Sequence, residues 1–406
     1  MNEPKLRFKA DDGSEFPDWE EKKLNEIAVR VTRKNKDNVT DIPLTISSAD
    51  GLIDQRNFFN KVVASKDMSG YYLLKNGEFA YNKSYSKGYD FGSIKRLDLY
   101  DEGALSTLYI CFALNKNENS DFYQKYFDSL SWYPELQKIC AEGARNHGLL
   151  NVPTNDFFQL KLCVPSSDKE QQKIAEFLST IDTVIKKQKE TVSAWEERKK
   201  GVMQKLFSQE VRFKADDGSD YPDWEEKKLK NILKEYKEYS AKDGSYEHVS
   251  LTKEGVVPKS ERYERDFLVK DVDKKYRITH LGDICYNPAN LKFGVICRNK
   301  YGDGIFSPIY VTFRVCKDML PEFVEMLVTR RDFIEYALKY QQGTVYERMS
   351  VSPDDLLSIR VMVPCMAEQK KIADCLVSLD NVINSYKATL SAWEELKKGL
   401  LQQMFV

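Results

Sequence analysis

Two long heptad segments constrain this chain more than any other feature of its sequence. The first carries Ile174, Leu178, Ile181, Ile185, Gln188, Val192, Trp195, Lys199, Val202 and Leu206. The second carries Ile372, Leu376, Leu379, Ile383, Tyr386, Leu390, Trp393, Lys397, Leu400 and Met404. In both, the steps alternate between four and three, which lays one apolar stripe along one side of a continuous helix. Helices are therefore expected over most of 170–207 and 368–405. A helix of roughly 40 residues spans about 60 Å, and a stripe that long needs a partner. The other segment is the nearest candidate, so the two are expected to lie antiparallel. The helix-pair interface would hold Ile174, Leu178, Ile181, Ile185 and Trp195 against Ile372, Leu376, Leu379, Ile383 and Trp393. Gln188, Lys199 and Lys397 are the polar members of the seam. Gly201 and Gly399 fall inside the pattern, either at a close helix approach or, as the preferred reading, at a fraying end.

A second repeat precedes the helices. Residues 7–24 return as 212–229, with changes only at Glu15/Asp220 and Phe16/Tyr221. The chain thus consists of two halves, each an opening segment, a variable body and a long helix. The expected parts are 1–163 (opening segment 7–24), the helix at 164–208, 209–362 (opening segment 212–229), and the helix at 363–406. With two such copies, a pseudo-twofold packing is the simplest arrangement. The expected fold class is α+β, with two mixed α/β bodies.

Within the first body, Leu24, Ile27, Ala28 and Val31 have helical spacing. Strands are expected at 77–82 and 108–114, helix over 121–139, and a closing strand at 160–165. The second body echoes these at 282–287, 309–313, 321–338 and 359–364, and shares little in between. Ser167 and Glu170 have the spacing of a capping box at the start of the first long helix.

Net charge is −1 with 31% charged residues, so composition does not announce a nucleic-acid partner and any such case rests on local surfaces. The eight cysteines form no Cys-x-x-Cys pair, and free thiols in a reducing compartment are the expectation. With no apolar leader and no long apolar run, the chain reads as soluble and cytoplasmic.

Catalytic patterns fail on spacing. Pro17-Asp18-Trp19-Glu20-Glu21-Lys22 has the letters of a nuclease metal site, but the acids lie along one hydrophilic stretch rather than converging from separate strands. Asn287-Pro288-Ala289-Asn290 lacks the second proline and the aromatic of an amino-methyltransferase motif. No phosphate loop exists, and His147, His248 and His280 lack partners at ligand or triad spacing. No catalytic or metal-binding residue is expected.

Several loops mix cations, amides and aromatics after strands. They carry Lys83, Tyr85 and Lys87, Arg145 and Asn146, then Asn290 and Lys292, Arg298 and Lys300, and Tyr346 and Arg348. Such side chains make phosphate contacts and base-edge hydrogen bonds. Any solvated loop has a similar composition, so they point to DNA only in combination with the repeat.

The repeat resembles a type I restriction–modification specificity subunit. The resemblance is carried by Val-Pro followed by Glu-Gln-x-x-Ile-Ala-x-x-Leu-x-x-x-Asp, at Val164 to Asp182 and again at Val363 to Asp380. Trp19 and Trp224 before Lys-Lys-Leu, and the two Gly-x-x-x-Tyr-Asn strands, also fit. The match runs over nearly the whole chain, twice, in the family's order. It implies a subunit with no chemistry or cofactor of its own. Two target-recognition domains would each read one half of a bipartite double-stranded DNA site, held apart by two antiparallel helices. Two modification (methyltransferase) subunits using S-adenosylmethionine would assemble on it, and two restriction (motor-nuclease) subunits using ATP and Mg would join for cleavage. The other reading is a coiled-coil scaffold or adaptor without DNA binding.

Overall fold

A computed structural model describes residues 3–48, 50–58, 64–140, 150–240, 245–253, 255–259, 275–343 and 349–406. The chain divides into two compact units, Met1–Val192 with Tyr386–Val406, and Ser193–Ser385. Each unit therefore contains a body, the first part of the helix that follows that body, and the last part of the other long helix.

In the first unit the strand Trp19–Lys23 pairs antiparallel with Lys161–Pro165. A four-stranded antiparallel sheet has the order Ala28–Arg30, Ile110–Leu114, Phe79–Asn82, Ser93–Arg96. Side chains alternate across it. Phe79, Tyr81 and Phe112 face a core with Phe122, Phe127, Trp132, Ile174 and Leu178. Ala80 and Cys111 face a smaller core with Leu44, Leu52 and Leu74. The helical stretch divides into Ser120–Ser129 and Tyr133–Ile139, with Leu130 left-handed at φ 65° between them.

The second unit repeats the plan. Glu225–Lys228 pairs with Arg360–Val363, and a sheet has the order Leu233–Glu235, Val311–Val315, Ile284–Tyr286, Ile296–Arg298. Ile284, Tyr286 and Phe313 pack against Phe323, Val324 and Leu327. Helices Pro321–Thr329 and Arg331–Ala337 take the place of the two in the first body.

Both long helices are continuous, Asp168–Phe207 and Met366–Met404. Ile174, Leu178, Ile181 and Ile185 are buried, as are Ile372, Leu376 and Ile383; Trp195, Leu379 and Trp393 are half-buried. In the first unit the C-terminal Phe405 packs on Trp19, Phe122 and Tyr126. In the second unit Phe207, its counterpart at the end of the other helix, packs on Trp224 and Phe323. The polar seam members are also satisfied. Lys397 pairs with Asp182 at 2.6 Å, and in the other unit Lys199 pairs with Asp380 at 2.5 Å. Gln188 donates to the Tyr386 carbonyl at 3.0 Å.

Three local expectations are corrected. The spacing Leu24, Ile27, Ala28, Val31 produces only one helical turn, Leu24–Ile27, before the strand Ala28–Arg30. A buried residue every third or fourth position also fits a turn that runs straight into an alternating strand. The capping box at Ser167 does not form, because the Glu170 carboxylate is turned inward to Arg7 and Trp19. Gly201 and Gly399 mark neither a helix end nor a close approach: the helices run past both, and a Cβ on either would meet nothing within 4 Å. Gly201→Ala and Gly399→Ala are each expected to stabilise the chain by up to about 1 kcal/mol, read as a higher denaturation midpoint. An unchanged or lower midpoint would mean that the helix axis needs the glycine.

Candidate nucleic-acid interface

In the first body the candidate loop leaves the sheet at Asn82. Its amide oxygen accepts from the Ser84 N–H at 2.9 Å and turns the chain. Gly92 closes the loop at φ +81°, where a Cβ would lie 2.0 Å from the Asn82 carbonyl oxygen, so only glycine fits. Between these points Tyr85 is 57% exposed and Lys87 is exposed. Lys83 is held more firmly: its ammonium donates to the Val152 carbonyl at 2.9 Å, and its own carbonyl accepts from the Leu150 N–H. Burial, and then the charge of Arg30, pull the Lys83 pKa below the usual lysine value.

Two cations that the loop pattern overlooked meet at Tyr72. The Arg30 guanidinium is 3.5 Å from the Tyr72 hydroxyl. Lys34 sits over the Tyr72 ring, 4.2 Å from its centroid, and donates to the Gly70 carbonyl. The alternation Val29-Arg30-Val31-Thr32 was the available signal, hidden by the helical spacing of Leu24, Ile27, Ala28 and Val31. Arg33 is matched by Glu78 at 2.7 Å.

In the second body Asn287 caps a turn over Pro288–Phe293, accepting from the Ala289 N–H. That local role accounts for Asn287-Pro288-Ala289-Asn290 without any catalytic one. Asn290 is half-buried, and Lys292 is exposed with its ammonium over the ring of Phe293. Arg298 and Lys300 are not brought to this turn as free charges. Arg298 lies between Glu322 and Glu325 at 2.9 and 3.1 Å, and Lys300 meets Glu325 at 2.9 Å. Arg145, Asn146, Tyr346 and Arg348 lie outside the described residues.

The stretch with nuclease letters is structural: Trp19 is buried, Glu21 pairs with Lys161, and Lys22 pairs with Glu20. No cluster of His, Cys, Asp or Glu suited to a metal ion occurs among the described residues. No disulfide occurs among the described residues. Among the described residues, no helix is long and apolar enough to cross a membrane.

No family model matches the chain. Curated relatives in Methanocaldococcus jannaschii do. The "Putative type I restriction enzyme MjaX specificity subunit" is 24% identical over 427 residues, covering 97% of this chain and 94% of its own length. The type I restriction enzyme MjaVIII specificity subunit is 25% identical over 342 residues, 77% of this chain and 76% of its own. Solved structures share the fold. The type I restriction-modification S subunit from M. genitalium aligns with a TM-score of 0.53 at 13% identity, over 100% of this chain and 99% of that one. A chain from a study of complex assembly and conformational transition in the type I R-M system aligns with a TM-score of 0.51 at 14% identity, over 96% and 98%. Along almost its whole length this chain is similar in sequence to type I restriction enzyme specificity subunits, and it shares its fold with a solved type I S subunit.

Proposed function

We propose that this chain is the non-catalytic DNA-sequence-specificity subunit of a type I restriction–modification complex. The observation that carries the reading is a body-plus-helix unit built twice, with one strand order and divergent loops. A protein that reads one half-site with each body needs that combination. The scaffold is held constant, while the side chains that meet base edges are free to differ. The parts are 1–163 and 209–362 as target-recognition domains, and 164–208 and 363–406 as spacer helices.

The long helices act as an antiparallel pair that sets the gap between half-sites. Three contacts support this. Lys397–Asp182 and Lys199–Asp380 join positions related by the 198-residue repeat shift, and Gln188 meets Tyr386, its own counterpart. A ruler of about 60 Å also suits two major-groove sites separated by one or more turns of about 34 Å.

Loops carrying Lys83, Tyr85 and Lys87, and Asn290 and Lys292, would face the DNA, together with Arg145, Asn146, Tyr346 and Arg348. Arg298 and Lys300 would contribute only on release from Glu322 and Glu325. Two modification subunits supply S-adenosylmethionine and the transferred methyl group. Two restriction subunits supply ATP-driven translocation and Mg-dependent cleavage. The complex would work in the cytoplasm.

The test is to co-express the chain with its modification subunits in a host lacking adenine methylation, and to map methylated adenines across the genome. One split motif with a fixed gap is expected. Assembly without any methylated motif would favour the adaptor reading.

A further inference from the structure

Among the described residues, arginines are almost always neutralised. Of the described arginines, only Arg30 and Arg198 lack a carboxylate within ion-pair distance. Arg198 lies over the ring of Trp195 on the first long helix. Arg30 is different. It is exposed at the end of a sheet strand, within reach of the Tyr72 hydroxyl, and Lys34 covers the ring of the same tyrosine. Lys83 is close enough for the charge of Arg30 to act on it. Among the described residues, neither Lys34 nor Lys83 has a carboxylate partner either.

We propose that Arg30 and Lys34, both held at Tyr72, form a phosphate-backbone clamp by which the first body grips double-stranded DNA. This rests on the specificity-subunit reading and adds to it a site that the loop pattern did not contain. The physical reason is charge. Two cations held at one tyrosine, with no carboxylate partner among the described residues, leave charge that an incoming anion neutralises. A row of phosphates does so while releasing condensed counterions. Lys34 is also fixed before binding, by the Gly70 carbonyl and the tyrosine face. Fixed cations on the sheet set the position of the body on the duplex, while the adjoining loop with exposed Tyr85 and Lys87 is left to read bases.

The test uses the chain assembled with its modification subunits, and Arg30→Ala with Lys34→Ala. Lys83 is spared because it ties the loop to Val152. Binding to duplexes with and without the methylated motif is measured by fluorescence anisotropy over a salt series. The slope of log affinity against log salt should fall in magnitude by about 2, and both duplexes should weaken by the same factor. Arg30→Lys should keep the slope, and the methylated motif should not change. An unchanged slope in a variant that melts normally overturns the proposal. So does loss of the modification subunits with DNA affinity otherwise intact, which would make the cluster a contact for an acidic protein surface. A wild-type complex that methylates no split motif would defeat the underlying specificity reading, a result separable from either.

Discussion

Glu170→Ala should destabilise the first unit by about 1–3 kcal/mol, because it leaves a partly buried guanidinium and a buried indole N–H without their acceptor. The carboxylate is fully buried at the start of the first long helix. It accepts from Arg7 Nε and Nη2 at 3.0 and 2.9 Å and from the Trp19 indole N–H at 3.3 Å. A fork on one side and an indole on the other use most of its acceptor sites, which is the condition under which a buried charge is tolerated. Arg7 also donates to the Pro17 carbonyl at 2.8 Å, so one guanidinium ties both ends of the opening segment to the helix. The second unit repeats the arrangement: Glu368 accepts from Arg212 at 3.1 and 2.8 Å and from Trp224 at 3.1 Å. Glu368→Ala should therefore cost a similar amount there. Arg7→Leu combined with Glu170→Leu should cost less than either single change, since no charge is then stranded. Urea unfolding of the four proteins measures this, and a loss below about 1 kcal/mol for Glu170→Ala would place the clamp among ordinary surface pairs.

This clamp also shows where a sequence stops being legible. Ser167 and Glu170 have capping-box spacing, yet the partner of Glu170 lies 163 residues earlier. Local spacing has no access to a contact at that range. The long helices were legible because a heptad stripe is a local pattern sustained over many turns. The sheet strands were legible because Gly77–Asn82 and Gly282–Asn287 repeat one pattern in two otherwise different bodies. The start of the first body was not legible, because a single turn followed by a strand satisfies helical spacing over so few residues. The candidate site divides along the same line. The exposure of Tyr85 and Lys87 follows from a loop between turn residues. The neutralisation of Arg298 and Lys300 by Glu322 and Glu325 requires knowing which helix lies against the strand. Arg30 and Lys34 acquire meaning only once pairing brings Tyr72 between them.

The seam illustrates the intermediate case. Lys199 and Lys397 stood out as polar residues in an apolar stripe, and their acids, Asp182 and Asp380, close the heptad motif of each repeat. In the first unit Lys125 joins Lys397 on Asp182 at 2.7 Å. Burial raises the Asp182 pKa, but Lys397 and Lys125 outweigh it and hold the carboxyl below the usual aspartate range. A depressed carboxyl contributes its stabilisation above the unfolded-state pKa and loses it as pH falls through the folded-state value. Half-buried pairs of this kind, set in an apolar stripe, help to select one helix register.

Replacing residues 25–163 with the corresponding body of a related protein, and leaving 164–406 untouched, should change the methylated motif in one half only, with the gap preserved. Base-edge readout depends on a few side chains placed by one body. Each body here has its own sheet and its own core, Phe79, Tyr81 and Phe112 in one and Ile284, Tyr286 and Phe313 in the other. A transplanted body must still present apolar partners to Ile174, Leu178 and Phe405, which pack in the first core. Donors that keep an aromatic at the positions of Phe122 and Tyr126 are therefore the fair choice. On the proposed function the helices set the gap, and the exchange leaves them alone. The reciprocal change is a heptad inserted into both helices before Trp195 and Trp393. It lengthens each by about 10.5 Å while keeping the seam in phase, whereas a single residue would rotate the stripe by about 100°. Both half-motifs should survive that insertion and the gap should grow. A body exchange that altered both half-motifs would show that the two bodies read DNA as one continuous surface, and the division of labour between bodies and helices would have to be abandoned.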